Sequence, residues 1–222
     1  MQKFDTPAPI SAVLDIPAGR IRFIAADRAD TTVEVLPADP SDGRDVKAAQ
    51  QTAVAYGDGV LRIEAASAKR RILGSSGSIE VTVQLPAGSR VEAKAASADL
   101  RGVGRLGDVT FDGAQASVKL DEAASAHLTL LAGDIAVGLL GGSAEISTRK
   151  GDLHITEAVG GTVVLRTEAG AVSIGAAPGV SASLDAGTTY GRIHNALKNT
   201  AGTPDLTIRA TTAYGDITAR SL

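Results

Sequence analysis

A short phrase of alternating apolar and polar residues recurs along the chain from residue 99 onward. Each copy has a small residue, a polar residue and then an aliphatic–polar–aliphatic triplet. The seven copies centre on Asp99-Leu100-Arg101, Ser117-Val118-Lys119-Leu120, Asp134-Ile135-Ala136-Val137, Asp152-Leu153-His154-Ile155, Ala171-Val172-Ser173-Ile174, Arg192-Ile193-His194-Asn195 and Asp216-Ile217-Thr218-Ala219. They follow one another at 18, 17, 18, 19, 21 and 24 residues. A short repeat at a nearly constant period predicts an all-β β-solenoid of about seven stacked coils.

Alternation within the phrase predicts which side chains face the core. Successive residues of a strand point to opposite faces, so the two aliphatic positions face inward and the residue between them faces solvent. The predicted outward column is Arg101, Lys119, Ala136, His154, Ser173, His194 and Thr218. The final coil, from Leu206 to Leu222, has no predicted helix or charged plug to cover its edge, which predicts an open end there.

The first 90 residues lack the phrase and alternate in shorter runs. Residues 13–16 and 20–24 flank Pro17-Ala18-Gly19, a pattern that predicts a hairpin. Further predicted elements are a short helix at 45–51, strands at 33–36, 52–56, 60–64 and 79–85, and a basic loop at Lys69-Arg70-Arg71. The predicted domains are an antiparallel β region over residues 1–90 that caps the solenoid, and a β-solenoid repeat domain over residues 91–222.

Composition narrows the function classes. The chain has no cysteine, which excludes disulfides and thiolate metal sites. Its net charge is −3 with interspersed signs, so no electrostatic footprint for nucleic acid is expected. No apolar run is long enough to span a membrane, which predicts no membrane insertion. The first residues lack the apolar segment of a secretory signal, so a cytoplasmic location is expected.

Two motifs that resemble chemical sites have plainer interpretations. Gly102-Val103-Gly104-Arg105-Leu106-Gly107 matches the dinucleotide fingerprint, but a predicted strand follows it where that site needs a helix. His154 and His194 share the outward column two coils apart, roughly 9.6 Å at the usual strand spacing. Parallel side chains at that separation do not meet on one metal ion. We therefore predict no cofactor, metal or catalytic residues.

Two pairs of residues on neighbouring coils leave alternatives open. Asp134 and Asp152 share a column. One interpretation is a ladder of carboxylates that binds Ca²⁺. The interpretation that we favour is that aspartate after glycine simply suits a tight turn. Tyr190 and Tyr214 are expected to stack, as a structural ladder or as a platform for a sugar or peptide. The residues predicted to contribute to a surface interaction are Arg101, Lys119, Asp134, Asp152, His154, Tyr190, Arg192 and Tyr214.

The predicted N-terminal hairpins, the turn Leu85-Pro86-Ala87-Gly88 and the recurring Gly-Asp-Ile/Leu phrases together resemble a bacterial family. It is the β-strand-repeat family named “putative adhesin”, a domain of unknown function numbered 4097. The resemblance extends over nearly the whole chain, from about Val13 to Ala219. It implies a right-handed β-helix with a β-rich N-terminal part, and it brings no established catalytic residues.

Three hypotheses of function follow. The first is a non-enzymatic, adhesin-like module that binds a protein or glycan partner through its regular faces. The second is a carbohydrate-active β-helix enzyme, a polysaccharide lyase or hydrolase, for which Asp134, Asp152, Arg101, Lys119 and Arg192 are the available side chains. The third is a self-assembling cytoplasmic scaffold, with a homodimer formed through the C-terminal edge of the solenoid.

Overall fold

The computed structural model describes residues 1–65, 77–199 and 202–222, and it is an all-β structure. The predicted basic loop at Lys69-Arg70-Arg71 lies outside the described residues. Two compact units divide the chain, Met1–Ala116 and Ser117–Leu222. The domain boundary predicted at residue 90 stays a prediction. Within the described residues, no helix has the length and apolar character needed to cross a membrane.

The first unit contains strands of both directions. Its elements are β1 (Gln2–Asp5), β2 (Ser11–Ala26), β3 (Asp30–Pro37), α1 (Gly43–Gln51), β4 (Ala53–Gly57), β5 (Val60–Glu64), β6 (Ile79–Pro86) and β7 (Arg90–Gln115). The pairs β1–β3, β3–β6 and β4–β5 are antiparallel, whereas β2 pairs in parallel with β5, β6 and β7. The prediction of an antiparallel N-terminal region is therefore correct only in part. The short helix is confirmed.

The predicted hairpin around Pro17-Ala18-Gly19 is wrong. β2 runs through these residues as one strand, and its two halves pair with different neighbours, Ser11–Asp15 with β5 and Gly19–Ala26 with β6. Gly19 has a φ of +136°, and a Cβ there would lie 1.8 Å from the carbonyl oxygen of Ile79. Pro17-Ala18-Gly19 therefore marks the point where β2 changes its pairing partner, and Gly19 allows the close approach of Ile79.

The second unit is built almost entirely of short parallel strands. Its elements are β8 (Val118–Ala132), β9 (Ile135–Leu140), β10 (Ala144–Lys150), β11 (Leu153–Ala158), β12 (Gly161–Ala169), β13 (Val172–Ala176), β14 (Ala182–Tyr190), β15 (Ile193–Ala196), β16 (Leu206–Tyr214) and β17 (Ile217–Ser221). They form two parallel ladders. The first ladder runs β8–β9–β11–β13–β17–β15, and the second runs β8–β10–β12–β16–β14.

The last coil of the chain does not lie at the end of these ladders. β17 pairs with both β13 and β15, and β16 pairs with both β12 and β14. The prediction that Leu206 to Leu222 forms an open terminal coil is therefore wrong. The strands at the ends of the two ladders are β14 and β15, which come earlier in the sequence.

Side-chain polarity explains this order. The inward residues of the last coil are apolar and buried, namely Leu206, Ile208, Ala210, Ile217 and Ala219. The inward positions of β15 are Ile193 and Asn195, and both are exposed. An asparagine amide enclosed between two coils would lose its water, which costs free energy unless every hydrogen bond is replaced. At the end of the ladder it stays solvated.

The predicted inward column is otherwise confirmed. Val118, Ile135, Leu153, Val172 and Ile217 are each at most 1% exposed. Ile193 is the exception at 46% exposed, because no further coil covers β15 within the described residues. The intervening outward residues are exposed or half-buried, so the assignment of the two faces holds.

Candidate functional site

The corners between the two ladders are built from a Thr-x-x-Gly sequence that the phrase analysis did not isolate. At four corners the threonine hydroxyl donates a hydrogen bond to a glycine carbonyl of the preceding rung. The pairs are Thr148 to Gly133 (3.5 Å), Thr167 to Gly151 (3.1 Å), Thr212 to Gly170 (3.0 Å) and Thr188 to Gly215 (3.1 Å). These bonds satisfy carbonyl groups at the corners, where the strand ladder is interrupted.

The corner glycines allow the rungs to approach closely. A Cβ on Gly170 would lie 1.9 Å from the carbonyl oxygen of Gly151, and one on Gly215 would lie 2.0 Å from that of Gly170. Both glycines also have positive φ, +156° and +153°. Any other residue would overlap the neighbouring backbone, so the corners require glycine.

The aspartates that follow these glycines bond to the neighbouring rung. Oδ1 of Asp134 accepts the backbone N–H of Asp152 at 2.8 Å, and Oδ1 of Asp152 accepts that of Ala171 at 2.7 Å. Asp134 and Asp152 do lie on adjacent coils, as predicted. One oxygen of each carboxylate therefore stabilises the corner, which supports the structural interpretation of this column over a Ca²⁺ ladder.

Arg192 lies at the end of the same column. Its backbone N–H donates to Oδ1 of Asp216 at 2.8 Å, and its guanidinium is 3.3 Å from Oδ2. These donors hold the pKa of Asp216 below its usual value, the backbone N–H contributing most. The order of rungs is Asp134, Asp152, Ala171, Asp216 and Arg192, so Arg192 is three rungs from Asp152 rather than two.

The histidines do not form a cluster. His154 is exposed, and its Nε2 lies 3.1 Å from the Thr156 hydroxyl. The register places Ser173 and Thr218 between His154 and His194. The two histidines are therefore three rungs apart, where the sequence predicts two. Within the described ranges, no group of three or more metal-ligating side chains is present.

Arg101 and Lys119 lie on different compact units. Arg101 is half-buried on β7, and its Nη1 donates to the carbonyl of Gly102 at 3.1 Å. Lys119 is exposed on β8, in register with Ala136. The glycine motif at residues 102–107 lies inside β7 itself, a continuous strand, and not before a helix.

Tyr190 and Tyr214 form an exposed aromatic pair. Their ring centroids are 5.0 Å apart with an interplanar angle of 6°, and the side chains are 64% and 61% exposed. The predicted stacking on adjacent coils is confirmed. In the same column, Ala169 lies next to Tyr214 and Lys150 lies next to Ala169. The sequence pattern did not indicate either of these two residues.

The amino-acid sequence matches a known family over most of its length. A family model described as Toastrack DUF4097 matches residues 13–220. The chain belongs to this family. The resemblance expected from the sequence is thereby confirmed.

Three solved structures are similar to the Toastrack chain, and one of them has a TM-score above 0.5. A “putative adhesin” from Parabacteroides distasonis is 14% identical, with 98% of this chain and 95% of that chain covered and a TM-score of 0.52. A “putative adhesin” from Bacteroides fragilis is 13% identical over 98% and 95%, with a TM-score of 0.47. A “putative cell adhesion protein” from Clostridium sporogenes is 11% identical over 100% and 98%, with a TM-score of 0.45. No curated protein matches the sequence.

Proposed function

We propose that this chain is a non-enzymatic, adhesin-like module that binds a protein or glycan partner through its outward columns. The observation that carries the proposal is the fixed register of outward side chains on successive parallel rungs, where Lys119 and His154 are exposed and Ala136 and Ser173 are half-buried. Rungs spaced about 4.8 Å apart present an extended, regular surface to a partner. The family and the adhesin-like name of the Parabacteroides structure agree with this role.

The finer description of the fold belongs to the same proposal. We infer that the chain winds as a right-handed β-solenoid of about seven coils. The parallel pairing and the repeated Thr-x-x-Gly corners of the second unit support a solenoid. The cellular location stays a prediction.

Four carboxylates are poorly suited to act as general acids. The acids with a shifted pKa are Asp30, Asp39, Asp42 and Asp216, and each is held below its usual value by neighbouring donors. Such carboxylates remain ionised at neutral pH and are poor proton donors, whereas a general acid or base needs a pKa near the working pH.

The enzyme hypothesis finds less support. A polysaccharide lyase or hydrolase needs its acidic and basic groups gathered at one bond of the substrate. Arg192 is three rungs from Asp152, roughly 14 Å at the usual strand spacing. Asp134 and Asp152 already accept backbone hydrogen bonds. The basic Arg192 is therefore distant from Asp152, and the two adjacent acids already stabilise the corners.

Partner capture tests the binding role. The full chain is immobilised and exposed to lysate and cell-envelope fractions of the source organism. The double variant Arg101→Glu/Lys119→Glu should capture less partner while its melting temperature changes by only a few degrees, about 2–4 °C per kcal/mol. Arg220→Glu, an exposed charge reversal outside the column, is the matched control and should capture normally. Undiminished capture by the double variant, or no capture from either fraction, refutes the proposal.

A second candidate function is self-association through the strands β14 and β15. Each pairs on one side only within the described residues, and Ile193 is 46% exposed beside that edge. An open strand edge with an apolar side chain favours pairing with another copy. Light scattering over a range of concentrations should show dimers that Ile193→Lys removes. A particle that stays monomeric at every concentration rules this function out.

A further inference from the structure

The column that contains the two stacked tyrosines has a small residue, Ala169, between two large ones, Tyr214 and Lys150. Lys150 is in register with Ala169, Ala169 with Tyr214, and Tyr214 with Tyr190. Lys150 and Tyr214 are therefore two rungs, about 9.6 Å, apart. The single methyl group of Ala169 lies between them. We call this space the Ala169 slot, formed by Tyr214, Ala169 and Lys150.

The ring of Tyr214 has an open face toward the slot. Tyr190 is on the last rung of the ladder and stacks against one ring only, and it is 64% exposed. Tyr214 has a rung on each side, yet it is 61% exposed. If the neighbour at Ala169 covered the second face of Tyr214, its exposure would be well below that of Tyr190. The methyl group is too small to do so.

The slot also carries a positive charge. Lys150 is exposed, and within residues 1–65, 77–199 and 202–222 it makes no ion pair. The neighbouring cations differ in this respect, because Arg149 lies 4.0 Å from Glu168 and Arg166 lies 3.4 Å from Glu145. Lys150 is therefore the charge available to a ligand in the slot.

We propose that the Ala169 slot binds an acidic sugar. A pyranose over Ala169 would lie about 4.8 Å from the Tyr214 rung, where its C–H bonds face the electron-rich ring, and its carboxylate would meet the Lys150 ammonium. A neutral sugar has no carboxylate to meet Lys150, and an acidic peptide has no pyranose face of C–H bonds to pack on Tyr214. This inference rests on the proposed binding role and adds a second contact surface, whose ligand is a uronic-acid glycan.

Isothermal titration calorimetry of the full chain with trigalacturonate tests the site. Binding should weaken by about 10- to 150-fold in Lys150→Gln, because a hydrogen bond to a charged group contributes about 1.5–3 kcal/mol. Tyr214→Ala should weaken it similarly. Ala169→Leu should abolish it, since the larger side chain fills the slot and leaves both contact residues in place. Ala132→Leu, in the same column next to Lys150 but away from the tyrosines, is the matched control and should bind normally.

Three outcomes overturn the proposal. They are the absence of trigalacturonate binding, equal weakening in Ala169→Leu and Ala132→Leu, and equal affinity for neutral galactotriose or for triglutamate. A failure here is distinguishable from failure of the binding role. If trigalacturonate does not bind but the full chain still captures a partner through Arg101 and Lys119, only the slot assignment is wrong.

Discussion

The last coil of the sequence lies inside the ladder, and the coil before it lies at the end. This order predicts different free-energy costs for removing Ile217 and Ile193, which occupy equivalent positions in the two coils. Ile217 is 0% exposed between β13 and β15, whereas Ile193 is 46% exposed on the last strand. Removing an enclosed isoleucine side chain loses its burial and leaves a cavity, so Ile217→Ala should cost about 2–5 kcal/mol. Ile193→Ala leaves no closed cavity and loses about half of the burial, roughly 1 kcal/mol. Stacking in chain order would reverse this ranking.

Urea unfolding followed by tyrosine fluorescence measures the difference. The chain has three tyrosines and no tryptophan, so in a Tyr56→Phe background the emission comes only from Tyr190 and Tyr214, in the affected coils. Thermal melts should show a shift of about 2–4 °C per kcal/mol. Equal costs for Ile217→Ala and Ile193→Ala, or a larger cost for Ile193→Ala, would refute the observed order of coils.

Two further predictions concern the corner and the acid dependence. Gly170→Ala should lower the free energy of unfolding in urea by about 3 kcal/mol or more, because its Cβ would overlap the Gly151 carbonyl. Gly187→Ala is the control. Its Cβ meets nothing within 4 Å, so it should change the free energy of unfolding by at most about 0.5 kcal/mol. Similar costs would disprove the close approach at the corner. The guanidinium of Arg28, with Lys3, lowers the pKa of Asp30 from 3.8 to about 2. The unfolded chain therefore takes up this proton first as the pH falls, so the stabilisation is present above about pH 4 and is lost toward pH 2. Asp30→Asn should flatten the decline of the urea midpoint over that window, and an unchanged slope would contradict the assignment.

Local pattern was enough to predict most of the strands and the two faces of the second unit. Alternation identifies Val118, Ile135 and Leu153 as inward because a strand has only two faces, and the period shows that successive copies stack. The stacking of Tyr190 on Tyr214 follows from the same register. The Ala169 slot was not predicted, because it joins residues from three rungs whose alignment the phrase alone does not specify.

The sequence by itself determined the all-β class, the repeat, the inward aliphatic columns and the family. Only the tertiary structure decided that β2 continues through Pro17-Ala18-Gly19 and does not reverse, since parallel partners for both of its halves come from distant strands. It also decided that the last coil enters the ladder between β13 and β15. Every rung offers the same backbone hydrogen bonds, so local pattern leaves the order of rungs open. Burial settles it, because the ladder encloses the apolar Ile217 and leaves Asn195 in water.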